Sequence, residues 1–463
     1  MRRRTRSFSS THRLMMTNII IFVICFSTGD GAGEGSEALN LPLKLDADDV
    51  AFFSSNYDID SLHHFLSSVF NLSHRVLGDD GPRPLLESQI ARGGGSHYTT
   101  QYKLELDLEQ ARFIAQGGCG ADCDDKAAAS SDASLPSLPP LSSAIPLATR
   151  AHFTSVVVPT YEKVLSKMPP LHSLSASGGL YAFDTVDKAV HGIGKVYNRA
   201  LHTQSFNELS PPEAYFGKGG LDVKGVTDRW HASEPSKVVV IDDVLSPTAL
   251  REVRKLLAES TVFYQTKLPL KFGGYSGAYI DDGLHQRLLL GLAFALHRQL
   301  PDIFRNPDTL ESHDLRYMWA YKYAPGHTGI NVHADEAAVN VNLWVTEDDA
   351  NLDNKSGGLV VFTAKPPLGW DFERYNTDTE KVVEEVLRPT GFANVTVPHR
   401  ANRAVIFDSM LFHHTDKYNF TADGGPLKRR INLTLLYGTK QPISPVCTTP
   451  FKSTIETPGQ GSR

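Results

Sequence analysis

His333-Ala334-Asp335 places an imidazole and a carboxylate two residues apart. On a strand, residues i and i+2 point to the same face, so both side chains could reach one cation. A third donor from a distant strand would complete a facial triad, a ligand set that suits iron(II) and leaves positions open for a co-substrate and O2. The tripeptide alone is weak evidence, since about one H-x-D is expected by chance in a chain this rich in His and Asp. His414-Thr415-Asp416 is indeed a second match, but no histidine follows His414, so it lacks a distal partner. His333 and Asp335 have one about eighty residues on, where 403–408 reads as a strand leading into His413-His414. Spacing alone leaves both of those histidines open as the third ligand.

A cation completes the constellation. Arg430, Asn432 and Thr434 alternate with Ile431, Leu433 and Leu435, so one strand face is polar and the other apolar. An arginine on the polar side could pair bidentately with the distal carboxylate of a dicarboxylic keto acid. Lys428 shares its parity and is the substitute candidate.

Strands must position these groups. From Leu315 onward the pattern alternates, with Tyr317, Trp319, Tyr321 and Tyr323 on one face, where core packing is their first expected role. Further strands are expected at 338–345, 358–363, 403–408 and 430–437, between Pro-, Gly- and Asp-rich turns. Upstream, 237–241 reads as a strand, Ser246-Pro247 starts a helix as N-cap and N1, and another helix over roughly 283–300 stops at Pro301. Helices followed by many short strands, without βαβ alternation, predict an α+β domain on an antiparallel barrel or sandwich. Gly357-Gly358 reads as a bulge or tight bend, and residues 365–375 break the pattern and read as a candidate substrate lid. His327, in a loop near the site, is assigned no role.

The runs G-I-N-V-H-A-D-E-A-A-V-N-V-N-L-W-V-T, N-L-D-N-K-S-G-G-L-V-V-F, N-R-A-V-I-F-D-S-M-L-F-H-H-T-D and R-R-I-N-L-T-L-L-Y-G, within about 236–440, resemble the 2-oxoglutarate/iron(II)-dependent oxygenases, the prolyl 4-hydroxylase-like branch most closely. The resemblance implies a double-stranded β-helix (jelly-roll) with iron(II) held by His333, Asp335 and His413, His413 being preferred to His414 because the motif reads L-F-H-x-T-D. It also implies 2-oxoglutarate on the metal, paired with Arg430, with Tyr323 or Tyr321 as a further co-substrate contact and ascorbate as a further candidate cofactor. Animal prolyl hydroxylases carry a lysine where Arg430 stands, which puts a peptidyl-proline substrate in doubt. The expected activity is a hydroxylase using O2 on an organic or peptidyl substrate. The alternatives are a non-catalytic metal-binding jelly-roll recognising a protein or glycan, and a barrel enzyme without keto acid.

The remaining features bound the setting. With 463 residues, 41% apolar and 21% charged, the composition is that of a globular chain long enough for two or three domains. A net charge of −6, with five basic residues crowded into Arg2–Arg13, argues against a nucleic-acid partner. Those arginines precede the apolar run Leu14–Phe26, shorter than the about twenty residues that span a bilayer, so 1–33 reads as a secretory signal or, if retained, a membrane anchor; an organelle transit peptide is the other alternative. Cleavage is expected near Gly33 or after Ala38. Localisation in the secretory pathway follows, with sequons at Asn71, Asn354, Asn394, Asn419 and Asn432 of which the first and last are expected to go unused. Beyond Cys25, Cys119 and Cys123 could close a small disulfide loop, and Cys447 stands alone. Residues 34–235 are expected to be mainly helical, with helices near 62–77 and 184–202 and a low-complexity linker at 118–148; 441–463 reads as a tail. Gly192 and Gly194 follow no strand, so they are not a dinucleotide loop.

Overall fold

The computed structural model describes residues 98–119, 144–177, 179–183, 192–204, 209–217, 220–234, 236–267, 273–280 and 283–438. The expected signal or anchor, the helix near 62–77, most of the linker and the tail lie outside the described residues, as do Asn71, Cys25, Cys123 and Cys447.

The alternating patterns become strands. After the short pair β1 (Tyr98–Thr99) and β2 (Tyr181–Ala182) come β3 (Val238–Ile241), β4 (Gln265–Thr266), β5 (Tyr275–Tyr279) and β6 (Leu315–Tyr323). They are followed by β7 (Val339–Trp344), β8 (Leu359–Phe362), β9 (Asn394–Val397), β10 (Arg403–Asp408), β11 (His413–Thr415) and β12 (Ile431–Tyr437). One sheet has seven strands in the order β3-β10-β7-β12-β6-β5-β4, and the other three in the order β11-β8-β9, all antiparallel. The chain passes from β7 in the large sheet to β8 and β9 in the small one, back to β10, across to β11 and back to β12. This is the winding of a jelly roll, and it carries residues far apart in sequence to one interior. Between the sheets, Trp344, Val405 and Phe407 of the large one pack against Leu359, Val361 and Val397 of the small one.

Helices cover the outer face of the large sheet. Helix α1 is Gln101–Gln116, α2 Val158–Leu165, α3 Val223–Ala232, α4 Pro247–Glu259, α5 Arg287–Gln299 and α6 Phe372–Thr377. Ser246 accepts from Ala249 N at 3.2 Å and Pro247 opens α4, the expected start; such a cap stabilises by about 1 kcal/mol. Leu250, Val253, Leu256 and Leu257 of α4 and Leu289, Leu292 and Leu296 of α5 are buried with Met318, Ala320, Leu433 and Leu435 from the outward faces of β6 and β12.

Helix α1 joins the N-terminal elements to this core. Its Leu104, Leu108, Ala111 and Ile114, at helical spacing, pack with Tyr161 and Val164 of α2. Gln110 Nε2 donates to Ala258 O and Ser260 O at 2.9 and 3.0 Å, and Glu259, fully buried at the end of α4, accepts from Cys119 N at 2.8 Å. Glu109 forms a two-pronged ion pair with Arg429, which is 5% exposed. Cys119 is disulfide-bonded.

One expectation fails. The described part of 184–202 holds only a 3₁₀ turn, Ile193–Lys195, followed by turns. Gly192 adopts φ +67, a left-handed conformation that breaks a helix, and Ile193, Val196 and Tyr197 are buried from a loop instead. Leu147–His152, at the end of the expected linker, is helical.

Candidate metal centre

The interior end of β11 meets the segment before β7 through a single β-bridge, His333 with His413. His333 N donates to His413 O at 3.0 Å, and His413 N donates back to His333 O at 2.8 Å. This pairing sets the two imidazoles side by side, with ring centroids 4.2 Å apart. Asp335, two residues on, turns its carboxylate to the same place, Oδ2 lying 3.5 Å from His413 Nε2. One donor atom from each of His333, Asp335 and His413 falls within 4.8 Å of the others. Among the described residues this is the one such group of potential ligands.

Each donor is oriented by a neighbour. His333 Nδ1 sits 2.7 Å from Asn331 O and His413 Nδ1 2.9 Å from Leu411 O. A carbonyl can only accept, so Nδ1 carries the proton in each ring and Nε2 keeps its lone pair for a cation. Asn340 Nδ2 donates to Asp335 Oδ2 at 3.0 Å. Burial, and then the neighbouring His413, push His333 down to about 4, so that it is neutral near pH 7. Burial alone would raise Asp335, but the neighbouring His413 and His333 and the Asn340 hydrogen bond outweigh it and hold the carboxyl below its ordinary range. Two imidazoles and a carboxylate are the donor set a facial triad requires.

His414 points the other way. Its ring packs 5.6 Å from Phe362, and its Nδ1 meets Thr415 O. His327 lies against Tyr102, with ring centroids 5.4 Å apart.

Arg430, just before β12, is 2% exposed and faces the interior. Its Nε donates to Gly357 O at 2.7 Å, its Nη2 to Gly358 O at 2.9 Å, and its Nη1 to Asn432 Oδ1 at 3.4 Å. The Tyr323 ring lies over it, 4.3 Å from Cζ, and Tyr323 OH is 3.3 Å from Thr415 Oγ1, two residues past His413. Tyr321 is one step removed, its hydroxyl 2.9 Å from that of Tyr279. Lys428 is excluded as a substitute because its ammonium pairs with Glu347 and Asp349. Gly357 and Gly358 do bend the chain: Gly357 has φ +83, and a Cβ on Gly358 would stand 1.9 Å from Val397 O. Their carbonyls also hold the arginine, a role the sequence did not suggest.

Sequence reasoning missed the amides as well. Asn340 and Asn342 of β7, together with Asn432, line the interior, and Asn376 of α6 grips Ala334 between the two candidate ligands. The V-N-V-N-L-W run was the available signal, since an inward polar face is unusual on a central strand.

No family model matches the chain, and no curated protein matches it. Similar solved structures include a prolyl-4-hydroxylase from Pseudomonas putida, at 15% identity and a TM-score of 0.29 over 47% of this chain and 100% of that one. HygX from Streptomyces hygroscopicus, with nickel, 2-oxoglutarate and hygromycin B bound, aligns at 13% identity and 0.31 over 46% of this chain and 86% of that one. A 2OG-Fe(II) oxygenase family oxidoreductase from Burkholderia pseudomallei aligns at 9% identity and 0.28, over 48% and 92%. At such low similarity, function rests on the residues of the site.

Proposed function

We propose that the chain is an iron(II)- and 2-oxoglutarate-dependent oxygenase that hydroxylates an organic or peptidyl substrate and releases succinate and CO2. One observation carries this reading. The interior that holds the His333, Asp335 and His413 cluster also buries Arg430, for which no carboxylate lies within ion-pair reach among the described residues. A buried guanidinium without a counter-charge costs several kcal/mol in order-of-magnitude terms. Three of its five donors serve protein oxygens, which leaves two for a ligand carboxylate. A dicarboxylic keto acid matches both ends: chelation at the cluster and a distal carboxylate at the arginine.

His333, Asp335 and His413 would hold the metal, and iron(II) there supplies O2 activation coupled to oxidative decarboxylation of the keto acid. The chain contributes orientation and shelter. Asn331 and Leu411 carbonyls fix the imidazole tautomers, Tyr323 and Arg430 define the distal end, and Trp344, Val361 and Phe407 keep water from the interior. The arginine in place of a lysine weighs against a peptidyl-proline substrate. A secretory-pathway location is part of the proposal, supported by the arginine-led N-terminus and by the disulfide at Cys119.

Incubation with iron(II), ascorbate and 2-oxoglutarate should release succinate even without the substrate, and His333→Ala should abolish that release. Equal succinate from the variant would sink the ligand set, and none from the wild type would favour the non-catalytic jelly-roll.

A further inference from the structure

A chain of side-chain amides runs through the barrel interior from the candidate metal ligand to the buried arginine. Asn340 Nδ2 donates to Asp335 Oδ2 at 3.0 Å, Asn342 Nδ2 to Asn340 Oδ1 at 2.8 Å, and Asn432 Nδ2 to Asn342 Oδ1 at 3.1 Å. Arg430 Nη1 closes the run on Asn432 Oδ1 at 3.4 Å, its longest link. Thr434 braces the middle, accepting from Asn432 Nδ2 at 3.0 Å and donating to Asn342 Oδ1 at 3.2 Å.

The direction of this chain is dictated by its ends. Arginine can only donate and an ionised carboxylate can only accept. Asn432 must therefore present its oxygen to Arg430, and each following amide must turn the same way until Asn340 presents its NH2 to Asp335. All three amide dipoles align, positive end toward the carboxylate, in surroundings of low polarity where such bonds reinforce one another. Asn340, Asn342 and Asn432 are 0, 6 and 4% exposed. Burying three amides is costly unless each is satisfied, and Trp344, Val405 and Phe407 show that neighbouring inward positions accept apolar side chains. The packing of the sandwich does not require this polarity.

We infer that Asn340, Asn342 and Asn432 are positioning residues for the metal centre, locking the Asp335 carboxylate through a run of amides whose sense Arg430 sets. The inference rests on the proposed metal centre but not on use of a keto acid. Arg430 would then act on the metal without touching it, so that charge at the distal end of the interior and ligand geometry at the other end are linked.

The test is titration of the apoprotein with Mn(II) alone, in the absence of keto acid, read by calorimetry or electron paramagnetic resonance. Asn340→Leu should weaken binding about 10- to 100-fold, as loss of a ligand's supporting hydrogen bond does. Asn342→Leu, one link further, should cost about tenfold, and Arg430→Leu about threefold, a decay along the chain that simple loosening of the core would not produce. Asn342→Asp, nearly isosteric, guards against a leucine variant that fails to fold. A carboxylate there cannot donate to Asn340, which must turn its amide and present an oxygen to Asp335, so binding should fall at least as far as in Asn340→Leu. Wild-type affinity in folded Asn342→Asp and Arg430→Leu, with affinity lost in His333→Ala, overturns the inference and leaves the oxygenase reading standing. Unchanged affinity in His333→Ala as well overturns both.

Discussion

Asn376 forms a two-bond ring with the backbone of Ala334, its Oδ1 accepting from Ala334 N and its Nδ2 donating to Ala334 O, both at 3.0 Å. The amide imitates a strand neighbour for the one residue that separates His333 from Asp335. It also ties that residue to α6, which begins within the stretch expected to act as a lid. Asn376→Ala should therefore lower Mn(II) affinity by about tenfold, in line with losing a support for ligand geometry, with a smaller loss of stability. Metal titration beside a thermal melt checks it, and unchanged affinity would mean that the segment holds its shape unaided.

For the keto acid, Arg430 is the decisive position. Arg430→Ala should raise the Michaelis constant for 2-oxoglutarate about 10- to 100-fold, the equivalent of losing a charge-assisted pair worth about 1.5–3 kcal/mol. In the wild type, Mn(II) with 2-oxoglutarate should raise the melting temperature above Mn(II) alone, an increment missing from the variant. An unchanged constant would move the anchor elsewhere.

Lys322 yields a prediction about pH. It is 1% exposed on the outward face of β6, its ammonium 4.0 Å from the Phe263 ring, and burial, only partly offset by Asp107 and Glu109, lowers it to about 7. Above that pH the folded chain holds fewer protons here than the unfolded one, so stability rises with pH from about 7 toward its ordinary 10.5. The penalty is fully present below about pH 7. Lys322→Met should thus stabilise most at pH 6 and progressively less toward pH 9.5 in denaturant melts. A gain of equal size at both pH values would show that packing, rather than charge, is responsible.

The docking of α1 should depend on Glu109. Arg429 keeps bonds to Thr421 O and Ala422 O, so Glu109→Gln removes only part of its satisfaction, at a cost of about 1–2 kcal/mol. Amide exchange should report the loss first in α1. Exchange accelerated uniformly across β6, β7 and β12 would instead make α1 part of the same cooperative unit.

The sandwich was readable because its strands alternate cleanly: 403–408 was placed to the residue, and the Tyr317–Tyr323 face is the one that turns inward. His333, Asp335 and His413 were readable as a group because their order and context are distinctive, and the fold brings them together. Two things were not readable. Periodic Ile193, Val196 and Tyr197 suggested a helix, but burial against α1 and α2 can be met by a loop, and Gly192 at positive φ makes one. The asparagines of β7 carry no charge, so their meaning depends on which residues lie opposite. That information is held in the pairing of β7 with β12, not in either strand alone.

Arg429 and Arg430 are consecutive, yet one grips a surface helix and the other reaches the interior. A single peptide plane joins them, so the two anchorages lie one residue apart. A displacement of α1 that moved Arg429 would therefore act one residue from the guanidinium buried in the interior.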